Sequence, residues 1–581
     1  MLPEAQGAAY DVHLHAAITM RIHALLLALT LTASVVGCSS EEAASPGEPP
    51  VVENHPGTLV ITTPARAAFL EDDGSQVVEV SGTGATSALT VNGERADVAA
   101  DGTFHARVKP SKGLNLVVAL DGESRLETPF LFGHFLPATT PVAHAIALDV
   151  GSFGISAAAP AASLESVTNL ALAKRDLIGA FKGQSFSGTV TGATWTFAVT
   201  GGSNGAANVT LASVAKGLGV HAAVKNVIVD GRLSIGALGL TYARDVRITA
   251  SGAVVTGDVA LALDDATGAL TAEMPAAGAK LDDFHFDTDN AGFPCCVDTI
   301  LTGFIKPKIE TAIAEGIREQ LPNALKLTLD GIGLPKEIGF AASGLAVNVP
   351  VATRFDAASF DMSGGTITAS VLFGAKPAAG TPGAKAPGWL ALGRPFSEPA
   401  TRAPVLGVSF SIDAVNQLMF AAWGNGSLSY TAPAPLSAKL SPALPPVVAI
   451  TDAGALRLGI GEILVAREGS DRPIAGVTLL QDVTATGDGD ALVLTPKGEP
   501  KISVTWLSDD SAWSGSNLIA SAAKDQLTRL LKPFRLPVPK FALDKLGGGF
   551  VGQSLAIQSP TVVVDKATGR IGAAGKLALT K

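Results

Sequence analysis

Long uninterrupted apolar runs are scarce in this chain of 581 residues; one occurs, near the N-terminus, which argues against a bundle of membrane-spanning helices. Cysteine is nearly absent. Three residues in all exclude a disulfide scaffold, and no Cys-x-x-Cys or His-x-x-x-His spacing suggests a structural zinc. Charged residues make up 16% and aromatics 5%, and there is no block of Lys or Arg. With a formal net charge of −10, the clustered cationic footprint of a nucleic-acid binder is excluded. The mean hydropathy is nevertheless +0.35, so apolar surface must be spread through ordinary folded segments. At roughly 100 to 200 residues per domain, the length corresponds to three or four units.

What is present begins with an address. From Met20 the chain reads MRIHALLLALTLTASVVGCSS: one Arg, a short apolar stretch through Leu25, Leu26, Leu27, Leu29 and Leu31, then small residues. These are the charge, core and cleavage parts of a signal peptide, too short for a spanning helix. Val35-Val36-Gly37-Cys38 resembles the bacterial lipobox, which implies acylation of Cys38 and a lipid anchor to a membrane. Ser39, in place of Asp, resembles the outer-membrane sorting pattern. Residues 1–37 are thus read as an upstream extension and lipoprotein signal. Residues 38–56, rich in Ser, Glu and Pro, are read as a lipidated, disordered tether.

Residues 57–135 alternate short apolar runs with turn signals, Asn92-Gly93 and Asp101-Gly102 among them, and predict a small antiparallel all-β domain. Thr63-Pro64-Ala65, Val80-Ser81-Gly82, Val91-Asn92-Gly93 and Asp101-Gly102-Thr103-Phe104 resemble the immunoglobulin-like modules of secreted bacterial proteins, which implies a spacer, with sugar or protein binding as the other use.

Beyond residue 140, amphipathic helices bracket strands. A first helix follows Ser163, with Val167, Leu170, Leu177, Ile178 and Phe181 near a 3.6 period. Strands around Val227, Val246 and Val259 are expected to be separated by turns at Asp230-Gly231 and Ser251-Gly252. A second helix, with Asp298 at its N-cap, carries Leu301, Ile305, Ile309, Ile313 and Ile317, and Pro307 should kink it or mark its effective start. The order then recurs. Strands run from Leu345 to Phe373, a helix carries Val415, Leu418, Met419 and Ala422, and a last helix carries Leu518, Ile519, Ala522, Leu527, Leu530 and Leu531. Two halves, each a sheet clasped by two helices, are predicted.

Several stretches resemble the tubular lipid-binding (TULIP) superfamily of bactericidal/permeability-increasing and lipopolysaccharide-binding proteins. Val405 through Phe420 with Gly426-Ser-Leu-Ser-Tyr430 is similar to that family's opening of the second barrel, including the helical Asn416. Leu530 through Pro539 resembles its final helix running into a Leu-Pro motif. Val224 through Arg232 and Val255 through Leu261 resemble its paired strands, and Phe304 to Leu321 sits where it places the long helix of barrel one. The resemblance implies an α+β class with two tandem barrels, over residues 140–335 and 336–581, each a twisted antiparallel sheet on long helices. It also implies a phospholipid or other acyl lipid held in one apolar seam per barrel. Leu170, Leu177, Phe181, Ile305, Ile309 and Ile313 are the candidate lining of the first, and Leu418, Met419, Leu527 and Leu531 of the second. The acidic chain departs from the cationic first barrel of the lipopolysaccharide-disarming members, so antibacterial activity is not carried over. Nor is the family's disulfide: Cys295 and Cys296 are adjacent, and a vicinal disulfide, two free thiols and an intermolecular bridge all stay open.

No enzyme, cofactor or metal is expected. Gly201-Gly-Ser203-Asn-Gly205 matches G-x-S-x-G as text, but it lies between two strand-like runs, where a hairpin turn is expected and a nucleophile elbow would need a following helix. The acidic stretch Asp282, Asp283, His285, Asp287, Asp289 and Asp298 has an Ala at the fifth position of its nearest EF-hand match and no closing Glu, so it is read as a solvated strand edge. The expected function is lipid binding or transfer by an outer-membrane lipoprotein whose protein partner is unassigned. The competing reading is a structural or adhesive surface lipoprotein with closed barrels.

Overall fold

The computed structural model describes residues 51–54 and 58–580, except 157–161, 173–176, 179–180, 238, 265, 289–296, 330–331, 334–335, 341–346, 376, 378–381, 398–402, 404, 435–436, 489–490, 509–515, 532–534, 539 and 547–549. Cys38, Asp289, Cys295 and Cys296 therefore lie outside the described residues. Residues 49–581 form one compact unit. It is mostly sheet, arranged as curled half-barrels with few helices, and its described strands fall into five sheets.

Length gives the first half its curl. Strands Gly217–Ala237 and Leu240–Leu263 are 21 and 24 residues long, about 70 Å and more at ~3.3 Å per residue, and they pair antiparallel from end to end. A ribbon this long cannot stay flat, because each strand twists right-handedly. The expected turns at Asp230-Gly231 and Ser251-Gly252 do not form; both dipeptides lie within these strands. Gly231 is small for another reason: a Cβ there would stand 2.2 Å from Cζ of Phe197, whose ring fills the space above it. Gly231→Val should therefore cost about 1–3 kcal/mol by overpacking. Pairing it with Phe197→Leu should restore part of the loss, as read from the denaturant midpoint.

At Ser251-Gly252 the ribbon bends. The inward residues are Leu218, Val220, Ala222 and Val224 on one side, then Val227, Val229, Leu233 and Ile235; across the ladder, Val246, Ile248 and Ala250 give way to Ala253, Val255, Val259 and Leu261. Both strands switch parity at the same place. The pairs Lys225–Gly252 and Val227–Ala250 bracket Asn226 and Ser251, and Asn226 takes a φ of 49°. One extra residue in each strand keeps the register while turning the apolar face through the corner.

Into this half-barrel runs the helix Lys306–Leu329, preceded by a helical turn Val297–Ile300 and a π-helical segment Leu301–Ile305. The helix starts before Asp298, which lies in its first turn. Pro307 does not break it: the widened π turn, closed by the Lys306 amide on the Leu301 carbonyl, absorbs a residue that lacks a donor and crowds the preceding turn. Ile309, Ile313, Ile317, Leu321, Leu325 and Leu329 are all buried, four residues apart. A step of four drifts ~40° around a helix of 3.6 residues per turn, so the stripe winds as the sheet twists.

The two halves share their largest connection. A nine-stranded sheet places Val142–Gly151, from the first half, between Gly364–Phe373 and Leu406–Ser411, and continues through Arg570–Thr580 and Ser554–Asp565. A second nine-stranded sheet, eight of its strands from the second half, covers the helix Ile412–Gly424, which is buried on nearly every side. Ser411 caps that helix, accepting from the Ala414 amide at 3.1 Å, and Gln417 inside it bridges the Thr140 carbonyl and the Phe373 amide.

Residues 58–136 enclose their own apolar core between two small sheets, with Val80, Leu89, Phe104, Val117 and Phe130 at its centre. The Asn92-Gly93 hairpin forms as expected, with both residues at positive φ. This module is no loose spacer. Its strand Ser124–Leu136 pairs with Trp389–Ala391, and Arg66 forms a two-bond ion pair with the buried Glu462 of the second half at 2.9 and 2.8 Å. Val51–Asn54, assigned by composition to the tether, instead adds a parallel strand to Lys501–Trp506. Two adjacent valines suit an edge position that the Pro and Glu around them do not reveal.

Candidate functional site

The seam between the helix Lys306–Leu329 and the first curled sheet is the candidate site. The helix carboxylate Glu310 accepts from the Leu281 amide at 2.9 Å and ties the helix to the sheet edge, while Lys306 stands 3.9 Å from Glu310 and over the Phe284 ring. At the other flank, Ser163 and Ser166 cap the helix Leu164–Leu172 reciprocally, and Asn169 clamps both backbone groups of Val209.

Seven of the ten candidate lining residues, Leu177, Phe181, Ile305, Ile309, Ile313, Leu418 and Met419, are buried in one continuous apolar core. Phe181 packs against Gly316 of the long helix. Leu177 lies beyond the end of the first helix, in a turn held by Asn204, whose Oδ1 accepts from the Leu177 and Ile178 amides. Leu170 points away, 50% exposed. Leu527 and Leu531 belong to the helix Ser516–Leu531, but their side chains lie outside the described residues.

The G-x-S-x-G stretch is not a hairpin turn. It joins Ala193–Ser203 to Ala207–Val214, two strands set end to end along Gly217–Ala237. A Cβ on Gly202 would meet the Ile228 carbonyl and Ile178 at 2.5 Å, so this glycine serves close approach of backbone. Of the acidic stretch, Asp282, His285 and Asp287 lie on strands at a sheet edge, with Asp287 opposite Arg247, whereas Asp298 lies in the helical turn Val297–Ile300.

At one end of the first half, side chains on the inward face are exposed. On Leu240–Leu263, alternate residues from Leu240 face inward in register with the core residues Val246 and Ile248, yet Leu240 is 60% and Tyr242 47% exposed, and Arg244 is exposed too. Phe304, on the π-helical segment, is 41% exposed and its ring lies 6.2 Å from that of Trp195. Leu240, Tyr242 and Phe304 thus form an apolar lip continuous with the interior. The inward alternation is in the sequence, but the exposure of this end of the strand is not.

A second region escaped the sequence reading. Two cavities of about 310 and 390 Å³ share Phe396, Thr568 and Arg570 on the central sheet. Arg570, buried, donates to the carbonyls of His144, Ala145 and Ser409 and to the Ser409 hydroxyl. The His144 and Ala145 carbonyls lie where the register of Val142–Gly151 slips and His144 takes a positive φ, so Arg570 stitches a bulge to the neighbouring strand at Ser409. Desolvation lowers its guanidinium to about 10, which leaves it cationic at neutral pH.

Asp413, beside the smaller cavity, is held above the ordinary carboxylate range by burial, against backbone bonds from Leu392 and Gly393 and the charges of Lys112 and Arg394. Between the ordinary 3.8 and its raised value the native state binds a proton that the unfolded chain has lost, so stability falls as pH rises through that window. Asp413→Asn keeps the acceptor for Leu392 and should remove this slope. Wild type should lose stability relative to the variant between pH 4 and pH 7, as read by denaturant midpoints.

No family model matches this chain, and no curated protein matches it. Among solved structures, the chain is similar to lipopolysaccharide binding protein, at 11% identity and a TM-score of 0.40 over 76% of this chain and 100% of that one. It is similar to Takeout 1 of Epiphyas postvittana at 16% identity and a TM-score of 0.20, over 30% of this chain and 89% of the other. It is also similar to P47 from Clostridium botulinum A2 at 9% identity and a TM-score of 0.25, over 74% and 96%. At these TM-scores none of the three bears on what the chain binds.

Proposed function

We propose that this protein is a lipid-binding lipoprotein, not an enzyme, that shelters acyl chains in the seam between the helix Lys306–Leu329 and the first curled sheet. The observation that carries this reading is the lip: an inward row that is apolar apart from Arg244 and is exposed at Leu240 and Tyr242, with Phe304 exposed at the same end. A closed core gains nothing by leaving its own inward face in water, whereas a seam that admits a chain end needs such an entrance. At ~0.8 kcal/mol per CH₂, one long acyl chain taken from water is worth on the order of 10 kcal/mol, which offsets most of the cost of leaving a bilayer.

In this reading the two halves are TULIP-type barrels, residues 58–136 are an immunoglobulin-like module, and acylated Cys38 holds the chain at the bacterial outer membrane. The thirteen-residue step from Cys38 to Val51 reaches at most ~45 Å when extended, so the body would work close to its bilayer. The test is uptake of a fluorescent phospholipid by the Cys38→Ser chain, which cannot be acylated. Saturable uptake, competed by unlabelled phospholipid, is expected. Absence of uptake would favour closed barrels and the structural reading.

A further inference from the structure

Trp195 lies on the inward face of Ala193–Ser203 and is 3% exposed, yet its indole Nε1 is buried with no hydrogen-bond partner. An orphaned buried donor costs about 1–3 kcal/mol and is rare in a native structure. The surroundings explain why none is supplied. Gly188 is directly opposite on one neighbouring strand, and a Cβ there would come within 3.0 Å of Nε1, so the indole lies across a hollow that only glycine leaves. Ile235 is its partner on the other strand and Phe304 lies against the ring. All three are apolar. The donor therefore sits in a hydrocarbon lining, at the end of the seam where the lip is.

The same end carries a cation. Arg244 shares the inward alternation with Leu240 and Tyr242, and the cross-strand row Trp195, Ile235, Tyr242 sets the lip two strands, ~10 Å, from the Trp195 backbone, with the indole leaning over Gly188 on the far side. The neighbouring arginines on this ribbon face carboxylates, Arg232 with Asp245 at 3.1 Å and Arg247 with Asp230 at 2.7 Å; no such ion pair forms at Arg244 among the described residues.

We infer that this end of the seam reads the head of a glycerophospholipid, with the Trp195 indole donating to an acyl ester carbonyl and the Arg244 guanidinium meeting the phosphate. The inference rests on the lipid-binding reading and adds its specificity. A carbonyl is the acceptor that arrives already attached to an apolar chain, and an ester beside a phosphate spans a distance a long arginine side chain can close. Phe304, exposed and next to a Gly303 with open space around it, is the cover that must move.

The experiment uses the Cys38→Ser chain labelled with ¹⁵N-tryptophan. The Trp195 indole resonance is assigned with Trp195→Phe, and the probes are hexadecane, dioleoylglycerol and palmitoyl-oleoyl-phosphatidylglycerol. Both ester lipids should move the Trp195 indole proton downfield, as a newly made hydrogen bond does, and hexadecane should not. Arg244→Ala, an exposed change, should lower the preference for phosphatidylglycerol over dioleoylglycerol about tenfold while keeping the downfield shift. If hexadecane binds and the ester lipids bind no better and leave the indole unmoved, this inference fails and the lipid reading stands. If no probe binds, both fail.

Discussion

Replacing Leu240 and Phe304 together by serine is expected to weaken phospholipid uptake roughly thirtyfold, about 2 kcal/mol, while the midpoint of thermal unfolding stays within a degree or two of wild type. The two halves of that expectation have one cause. Both side chains are about half exposed, so the fold has little to lose, and most of their apolar surface becomes buried only when a chain end passes over them. Burial of roughly 40 Å² per side chain at ~25 cal/mol per Å² gives about 1 kcal/mol each. A matching pair of serines at Val563 and Leu579, which are exposed on strands of the central sheet, should leave uptake unchanged. A loss at the control pair equal to that at the lip would mean that general surface apolarity, and not the entrance, governs uptake.

The largest effect on stability is expected at Arg66. Its guanidinium grips Glu462 with two bonds and donates to the Glu127 carbonyl at 2.7 Å. Glu462 is 2% exposed, so Arg66→Ala leaves a buried carboxylate without its partner, which costs about 3–5 kcal/mol, and the lower end applies because Arg66 itself is 24% exposed. The loss should show as an earlier first unfolding transition. Changing both residues to Met removes the buried charge along with its partner and should recover most of the loss, since a well-packed apolar pair is often as stable as a buried ion pair. Equal damage from the single and double variants would instead assign the effect to the packing of the Arg66 stem.

This ion pair also marks where sequence reading stops. Arg66 and Glu462 are almost four hundred residues apart, and nothing local to either announces the other. The central sheet is equally silent: Val142–Gly151 carries an ordinary apolar alternation, and its partners at 364–373 and 406–411 are set by tertiary register alone. What could be read was local and periodic. The every-fourth isoleucines announced the long helix, Ser163 announced a cap, and Asn92-Gly93 announced a hairpin, because each depends on neighbours within a few residues.

The errors are physical as well. Asp-Gly and Ser-Gly read as turns because glycine at positive φ is their common use, whereas Gly231 is needed beneath the Phe197 ring and Gly252 at a bend that keeps the ladder intact. The switch from even to odd inward residues across Asn226 and Ser251 was legible, and it separates a bent continuous strand from two strands joined by a turn. The candidate lining was legible as apolar but not as lining: a helix stripe is the same whether it meets a closed core or an acyl chain. Trp195 and Arg244 carry no motif, and their placement needs the strand register.

The most direct test of the lipid-binding account is native mass spectrometry of the Cys38→Ser chain purified without detergent from bacterial cells, followed by extraction and lipid identification. The account predicts one or two phospholipids per chain, retained through gentle desolvation and lost in the Leu240, Phe304 double variant. Chains at the bare polypeptide mass that also fail to take up added phospholipid would contradict it.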